Sequence, residues 1–211
     1  HSYRGIVRIN KCYATGEVHG IDIVGGFCGI KSNSLIYETL ISDSYATGNV
    51  TGNDGVGGFC GQIFGGNINN CHSKGSVKGR YDVGGFFGQI HCYRNYDSCI
   101  VNNCYASGFV SGNKFVAGFG AMNWADKGMV KIKNCYSKGN VSGNSFVGGF
   151  VASNSSENQA IASINNSFAT GDINCIDSIA SSFCASNNAL SGKSIIFDSY
   201  ATGNVSGSRK V

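Results

Sequence analysis

The feature that most constrains the fold is an internal repeat. The five-residue segment 12–16, Cys-Tyr-Ala-Thr-Gly, recurs with small changes so that the chain holds seven copies. We call the first residue of each copy the anchor, and the anchors are Cys12, Ser44, Cys71, Cys104, Cys135, Ser167 and Ser199. Successive anchors are 32, 27, 33, 31, 32 and 32 residues apart. A period of this length predicts one structural unit per repeat.

Two apolar positions recur at fixed distances from the anchor. Six residues after it stand Val18, Val50, Val77, Val110, Val141, Ile173 and Val205. Fifteen residues after it, in the first five repeats, stand Phe27, Phe59, Phe86, Phe119 and Phe150. The length differences between repeats fall in the segments that follow the Phe, which predicts loops on one side of the fold.

The residues between the anchor and the Phe favour strands over helices. Glycine is dense there, which would cost a helix about 1 kcal/mol per residue relative to alanine, and the other residues alternate with a period of two. A unit of roughly 31 residues suits one coil of a parallel β-solenoid with three short strands. We therefore predict an all-β, parallel β-solenoid of about seven coils, forming a single domain over residues 1–211. A β-propeller is the alternative, although its blades usually need about 40 residues.

Composition excludes several classes of protein. Charged residues make up 13% of the chain and the net charge is +4, with Lys and Arg scattered, so nucleic acid is not the expected partner. The hydrophobic content of 42% is too high for a disordered chain. No run of about 18 apolar residues is present, so no membrane span is expected.

One stretch of the repeat resembles a known motif. Residues 43–52 read Asp-Ser-Tyr-Ala-Thr-Gly-Asn-Val-Thr-Gly, and residues 56–61 read Val-Gly-Gly-Phe-Cys-Gly. They resemble the GLUG motif, in which a Tyr-Ala-Thr-Gly-Asn-Val-Ser-Gly segment precedes a Val-Gly-Gly-Leu-Val-Gly segment, with Phe here in place of the Leu. The resemblance implies a repeat like those of bacterial surface and adhesin-like proteins that form β-solenoids, and hence an extracellular or cell-surface location.

The aromatic residue after each anchor has the parity opposite to the small and apolar positions. We therefore predict an aromatic ladder on the outside, formed by Tyr13, Tyr45, His72, Tyr105, Tyr136, Phe168 and Tyr200. An exposed stripe of this kind marks a binding or assembly surface. The alternative is that a bulge reverses the parity or that the variable segments cover the stripe. We also expect Phe59 and Phe86 to fill the core opposite the valines.

The residue before six of the seven anchors is Asn or Asp. Because both tolerate turn conformations, we expect a corner of the coil at this position, with Lys11 as the exception.

Ten cysteines favour an oxidising compartment. We consider two disulfides, Cys92–Cys99 within one variable segment and Cys175–Cys184 in the irregular sixth repeat. Cysteines at equal repeat positions, such as Cys71, are either buried thiols or disulfide partners in neighbouring coils.

The sequence offers weak candidates for modification and metal binding. Five Asn-x-Ser/Thr sequons predict glycosylation at Asn49, Asn140, Asn154, Asn165 and Asn204, although Asn-Val-Ser also belongs to the repeat pattern itself. Asp22, Asp54 and Asp82 precede Val-Gly-Gly in neighbouring repeats and form a weak calcium candidate. No other metal site and no cofactor is predicted.

These observations favour a non-enzymatic, extracellular, structural or adhesive solenoid. Both ends of the chain are incomplete coils, with Val211 reached before the expected Gly-Gly-Phe, so we expect self-association end to end. The alternatives are a module that binds surface glycans or a host receptor through the aromatic ladder, a fragment of a longer solenoid, and a β-helix enzyme acting on polysaccharides. No cluster of acids and bases supports the enzyme.

Overall fold

The computed structural model describes residues 6–32, 39–94 and 98–207, and within these ranges the regular elements are β-strands. The chain winds into a parallel β-solenoid with one coil per repeat, which confirms the predicted fold class. The described part of the chain holds no helix of a length and apolarity suited to crossing a membrane. Val211 lies outside the described residues.

Each of the first six coils contains five short strands. Coil 1 has β1 (Val7–Asn10), β2 (Tyr13–Ala14), β3 (Val18–His19), β4 (Asp22–Gly25) and β5 (Cys28–Ser32). Coil 2 has β6 (Thr39–Ser42), β7 (Tyr45–Ala46), β8 (Val50–Thr51), β9 (Asp54–Gly57) and β10 (Cys60–Phe64). Coil 3 has β11 (Gly66–Asn69), β12 (His72–Ser73), β13 (Val77–Lys78), β14 (Tyr81–Gly84) and β15 (Phe87–Cys92).

The second half of the chain repeats this order. Coil 4 has β16 (Ser98–Asn102), β17 (Tyr105–Ala106), β18 (Val110–Ser111), β19 (Lys114–Ala117) and β20 (Gly120–Ala125). Coil 5 has β21 (Met129–Lys133), β22 (Tyr136–Ser137), β23 (Val141–Gly143), β24 (Ser145–Gly148) and β25 (Val151–Ser156). Coil 6 has β26 (Ile161–Asn165), β27 (Phe168–Ala169), β28 (Ile173–Cys175), β29 (Ala180–Ser181) and β30 (Cys184–Ala189). The described part of coil 7 has β31 (Lys193–Phe197), β32 (Tyr200–Ala201) and β33 (Val205–Gly207).

Strands at the same place in successive coils pair in parallel and in register. We number the resulting sheets 1 to 5 after the order of their strands within a coil; sheets 1 to 3 have seven strands and sheets 4 and 5 have six. Equal repeat positions therefore stack directly, as Tyr13 does on Tyr45 and Val77 on Val110. The prediction of three strands per coil was wrong. The strands of sheets 2 and 3 have only two or three residues, too few to show alternation in the sequence.

The predicted corner lies between sheets 1 and 2. All seven residues that precede the anchors adopt left-handed backbone angles, with φ between 44° and 54°. Asn and Asp tolerate this conformation, and their side chains also link the coils, as Asn166 Nδ2 does by donating to Asn134 Oδ1 at 2.7 Å. Lys11 adopts it too, with φ of 54°. The position in the coil therefore fixes the backbone even where the residue does not favour it.

The interior consists of two separate apolar clusters. The larger one lies between sheets 1, 2 and 5 and contains the Phe, Ile and Cys side chains, and the smaller one holds the valines of sheets 3 and 4. The chain passes between them at the second glycine of Val-Gly-Gly. A Cβ at Gly58 would lie 2.2 Å from the carbonyl oxygen of Gly85 and 3.1 Å from both Ser73 Cβ and Val77 Cγ2. Only glycine allows coils to approach this closely.

Phenylalanine rings stack through the larger cluster, and we call this column the inner aromatic stack. It consists of Phe27, Phe59, Phe86, Phe119, Phe150 and Phe183. Neighbouring ring centroids are 4.7 to 5.1 Å apart. Phe59 and Phe86 are fully buried, as predicted, but they lie in the larger cluster rather than against the valines. Phe183 extends the stack into the sixth coil, where the sequence pattern did not identify it.

Candidate functional site

The aromatic residues of sheet 2 form a second column, which we call the outer aromatic stack. In the inner strands of sheet 2 the small second residue, such as Ala46 or Ser73, is buried, so the preceding aromatic residue must point away from the core. Its members are Tyr13, Tyr45, His72, Tyr105, Tyr136, Phe168 and Tyr200. The five inner members are half-buried, whereas Tyr13 and Tyr200 at the two ends are 67% and 57% exposed.

The rings of the outer aromatic stack lie face to face. Neighbouring centroids are 4.6 to 5.4 Å apart, and the ring planes differ by 1° to 12°. The faces of the inner rings therefore cover one another, and the surface presents their edges and the tyrosine hydroxyl groups. A pyranose ring that packs on an aromatic ring needs a free face. Among the described residues, such a face remains at the two end rings, Tyr13 and Tyr200.

Positive charge lies beside this stack. Lys138 Nζ is 5.1 Å from the centroid of the Tyr136 ring, within the range of a cation–π contact. Partial burial, with a smaller contribution from Lys74, lowers the pKa of His72 below its usual value, so the imidazole is neutral at pH 7. Partial burial, together with the neighbouring Tyr105, also raises the pKa of the Tyr136 hydroxyl. The stack is thus uncharged and is flanked by ammonium groups.

The structure contains neither predicted disulfide. Cys175 lies in the smaller core cluster, whereas Cys184 packs against the larger one, so the backbone separates them. Cys92 and Cys99 are both fully buried in the larger cluster, and Cys92 Sγ is directed at the carbonyl oxygen of Met129, 3.7 Å away.

A column of thiols runs along the anchor positions of coils 3 to 5. Cys71, Cys104 and Cys135 are buried, and the backbone N–H of Cys71 donates to Cys104 Sγ at 3.4 Å. Burial raises the pKa of the Cys104 thiol well above its usual value. These side chains therefore serve as small core residues with weak hydrogen bonds, which is one of the two outcomes considered from the sequence.

The three predicted calcium ligands do not converge. Asp22 pairs in register with Asp54, but Asp54 pairs with Tyr81, so Asp82 stands one position later in its coil. Asp82 is buried and accepts a hydrogen bond from Gln89 Nε2, and burial raises its pKa to about 6. Within the described ranges, no three Asp, Glu, His or Cys side chains are arranged to hold a metal ion.

The sequons differ in accessibility. Asn49, Asn140 and Asn204 are exposed on the outer side of the coil, immediately before the strands of sheet 3. Asn165 is half-buried in sheet 1. Asn154 is fully buried, and its Nδ2 donates to Asn187 Oδ1 at 2.7 Å, so its prediction as a glycosylation site was wrong. It lies on the inward face of a strand in sheet 5, where no glycan fits.

Two features were missed from the sequence. Lys31 points into the core and is 5% exposed, with its Nζ donating to Thr39 Oγ1 at 3.0 Å and to the carbonyl oxygen of Gly65 at 2.6 Å. Burial lowers its pKa. On the outer side of sheet 5, His91 and Trp124 stack at 4.1 Å, which register alone would have predicted. The sequence signal for the burial of Lys31 was its position, because it stands at the same place in its coil as the buried Ile63.

Comparison with known proteins identifies one region. Residues 52–78 match the GLUG motif, and this stretch runs from the end of sheet 3 in coil 2 through sheets 4, 5, 1 and 2 to sheet 3 in coil 3. It thus spans one circuit of the solenoid, which is the structure expected of a repeat. No curated protein and no solved structure matches the chain.

Proposed function

We propose that this chain is a non-enzymatic, extracellular structural or adhesive element that makes contacts through its outer aromatic stack. The observation that carries the proposal is the continuity of that stack, with ring edges repeating every 4.6 to 5.4 Å over seven coils. A partly exposed stripe of large rings is typical of a surface that binds another macromolecule. Repetition at a constant interval suits an extended partner better than a small ligand held in a pocket.

The covered ring faces favour this proposal over a sugar-binding module built on the same stack. Sugars pack on ring faces, and five of the seven rings have both faces occupied by neighbours. Edges and hydroxyl groups can instead contact protein or a surface glycan laterally. The extracellular part of the proposal is supported by the GLUG motif at residues 52–78. The cysteine count adds no support, because the structure contains no disulfide among the described residues.

The test is an adhesion assay with a matched pair of variants. Beads that carry the chain are applied to cell layers and to glycan-coated surfaces, and retention under flow is measured. Tyr105→Ser with Tyr136→Ser removes two central ring edges, whereas Ser111→Ala with Ser142→Ala changes the outer side of sheet 3 in the same coils. We expect the first pair to reduce retention several-fold and the second to leave it unchanged. Equal retention of both would contradict the proposal, as would turnover of a polysaccharide by the purified chain.

End-to-end self-association is a second part of the proposal. Among the described residues, the strands of coil 1 pair only with coil 2, and β31, β32 and β33 pair only with coil 6. Such edges present unpaired N–H and C=O groups, and a head-to-tail contact between two copies need not close. The free faces of Tyr13 and Tyr200 would then meet and continue the stack from one copy to the next.

Sedimentation velocity over a range of concentrations tests this contact. We expect the wild-type chain to form species that grow with concentration, and Tyr13→Lys with Tyr200→Lys to remain monomeric. Thr170→Lys places a charge on the exposed face of an inner coil and should behave as wild type. A wild-type chain that is monomeric at every concentration would overturn the self-association.

A further inference from the structure

A shallow cleft of about 270 Å³ crosses the outer side of sheet 3 and is separate from the outer aromatic stack. Residues from four successive coils line it, among them Phe109, Asn140, Asp172 and Ser206. It thus combines one aromatic ring with amide, carboxylate and hydroxyl groups. These are the groups that proteins use to hold a sugar, namely a ring for its C–H face and polar groups for its hydroxyls.

Phe109 is unusual for its position. Each coil places one exposed residue immediately before its strand in sheet 3, and these residues are Glu17, Asn49, Ser76, Phe109, Asn140, Asp172 and Asn204. Six of the seven are polar, but Phe109 is apolar and 47% exposed. Its neighbours in this column are Ser76 and Asn140, so no second ring of the column covers it. The exposed part of the Phe109 ring is therefore open to packing by another apolar surface, which would remove that area from water.

The amide of Asn140 is oriented by the next coil. Its Oδ1 accepts the backbone N–H of Asp172 at 2.9 Å, so the oxygen side of the amide faces the next coil, and Asn140 lines the same cleft as Phe109. Asn49 shows the same orientation with both ends engaged. Its Oδ1 accepts the N–H of Ser76 at 3.0 Å, and its Nδ2 donates to Glu17 of the previous coil at 3.1 Å.

We propose that Asn140 is the glycosylation site of this surface and that its first sugar packs on the ring of Phe109. Asn140-Val141-Ser142 is a complete sequon. In the transfer, Nδ2 forms a bond to C1 of the sugar and loses a proton. The bond between C1 and the oxygen of a lipid-linked diphosphate donor breaks, and the diphosphate leaves with the electron pair.

The other sequons lack this combination. Asn154 is buried, and in the sequon of Asn165 the hydroxyl-bearing Ser167 is buried as well. Asn49 already uses its Nδ2 on Glu17. Asn204 begins a second Asn-Val-Ser tripeptide, identical in sequence to that of Asn140, and is exposed. Its neighbour one coil back, however, is the carboxylate of Asp172, whose Oδ1 accepts the backbone N–H of Asn204 at 3.0 Å.

Asn204 is therefore the matched control, since a transferase that reads the tripeptide cannot distinguish the two sites. The full chain is secreted from a eukaryotic host, its glycans are trimmed to the first sugar, and occupancy is measured by glycopeptide mass spectrometry. Ser142→Ala removes the sequon of Asn140, and Ser206→Ala removes that of Asn204. The same variants are also made in bacteria without glycans, and their changes in Tm are subtracted to correct for the loss of the serine hydroxyls.

We expect Asn140 to be occupied and Ser142→Ala to lower Tm by about 2–4 °C after this correction, with little change for Ser206→Ala. In a Phe109→Ser background, which installs the residue found in the preceding coil, the effect of Ser142→Ala should disappear. An unmodified Asn140 beside a modified Asn204 would overturn the proposal. A loss of Tm on Ser142→Ala that persists in the Phe109→Ser background would also overturn the proposal. Binding of free N-acetylhexosamine oligomers through Phe109 in the cleft of the glycan-free chain would overturn it as well.

This inference rests on the secretory part of the proposed function and not on adhesion. The two fail separately, because the adhesion assay uses the outer aromatic stack and can be run on glycan-free protein. A negative result for the glycan on Phe109 would not contradict adhesion through the outer aromatic stack.

Discussion

The inner and outer aromatic stacks share one geometry and differ in burial. Their ring spacings overlap, 4.7 to 5.1 Å inside and 4.6 to 5.4 Å outside, because in both cases the pairing of coils sets the interval. The central inner rings are fully buried, whereas the corresponding outer rings are half-buried. The solenoid therefore aligns any side chain at a repeated position, and the surroundings decide whether the column stabilises the fold or presents a surface.

The largest effect is expected from Phe86→Ala. The ring lies between Phe59 and Phe119 and is fully buried, so its removal leaves a cavity that close-packed coils cannot fill. We expect a loss of about 3–5 kcal/mol in the free energy of unfolding, measured by urea denaturation. A loss below about 1 kcal/mol would show that the inner aromatic stack does not define the core.

A buried charge provides the second test. Asp82 is 8% exposed, and burial raises its pKa from 3.8 to about 6, with Asp54 adding to the shift and Gln89 and Lys114 opposing it. The folded state then binds the proton more tightly than the unfolded state, so this carboxyl lowers stability as the pH rises from about 4 to 6. Asp82→Asn keeps an acceptor for Gln89 and should stabilise the chain by about 2 kcal/mol at pH 8.

The gain from Asp82→Asn should vanish below about pH 3, where the wild-type carboxyl is protonated in both states. The difference between variant and wild type, followed by urea denaturation across this range, isolates the one carboxyl from all others. Asp177→Asn, at an exposed position, should change the free energy of unfolding by no more than a few tenths of a kcal/mol. A gain for Asp82→Asn that is independent of pH would contradict the explanation by burial.

Sequence was sufficient for the features that the repeat itself encodes. The solenoid, the inward Phe59 and Phe86, and the corner before each anchor all follow from residue types that recur at one position. Phe183 was missed because the irregular sixth repeat places it sixteen residues after its anchor instead of fifteen. Five strands per coil were missed because a two-residue strand has no alternation to detect.

The candidate sites were harder to predict because they depend on single residues that depart from the repeat. The tripeptides at Asn154 and Asn140 look alike, but one lies on the inward face of a strand and the other outside it. Asp82 differs from Asp54 by one position in the coil, and it is buried whereas Asp54 is half-buried. Cys175 and Cys184 pack in different core clusters, and spacing along the chain carries no information about that.

The most direct test of the comparison uses one residue type in both stacks. Phe168 lies between Tyr136 and Tyr200 at 4.9 and 5.3 Å, much as Phe86 lies between its own neighbours, but its ring is half-buried. Phe168→Ala should therefore cost about 1 kcal/mol, chiefly the loss of stacking with two rings. The difference from Phe86→Ala measures the contribution of burial alone. Equal losses for the two variants would show that the outer aromatic stack is part of the core.

The smallest effect concerns the one histidine in the outer aromatic stack. Partial burial, with Lys74 nearby, lowers the pKa of His72, so the folded state disfavours the protonated ring more than the unfolded state does. The contribution of His72 to the free energy of unfolding is therefore complete at high pH and is lost as the pH falls below about 6.5.

His72→Tyr restores the residue of both neighbouring coils and should change the free energy of unfolding at pH 8 by no more than about 0.5 kcal/mol. The Tm of the His72→Tyr variant, measured at each pH, should exceed that of the wild type by a growing margin as the pH falls toward 5. A constant difference over this range would mean that the imidazole is as well solvated in the stack as in the unfolded chain, and the outer aromatic stack would then be a more open surface than its ring contacts indicate.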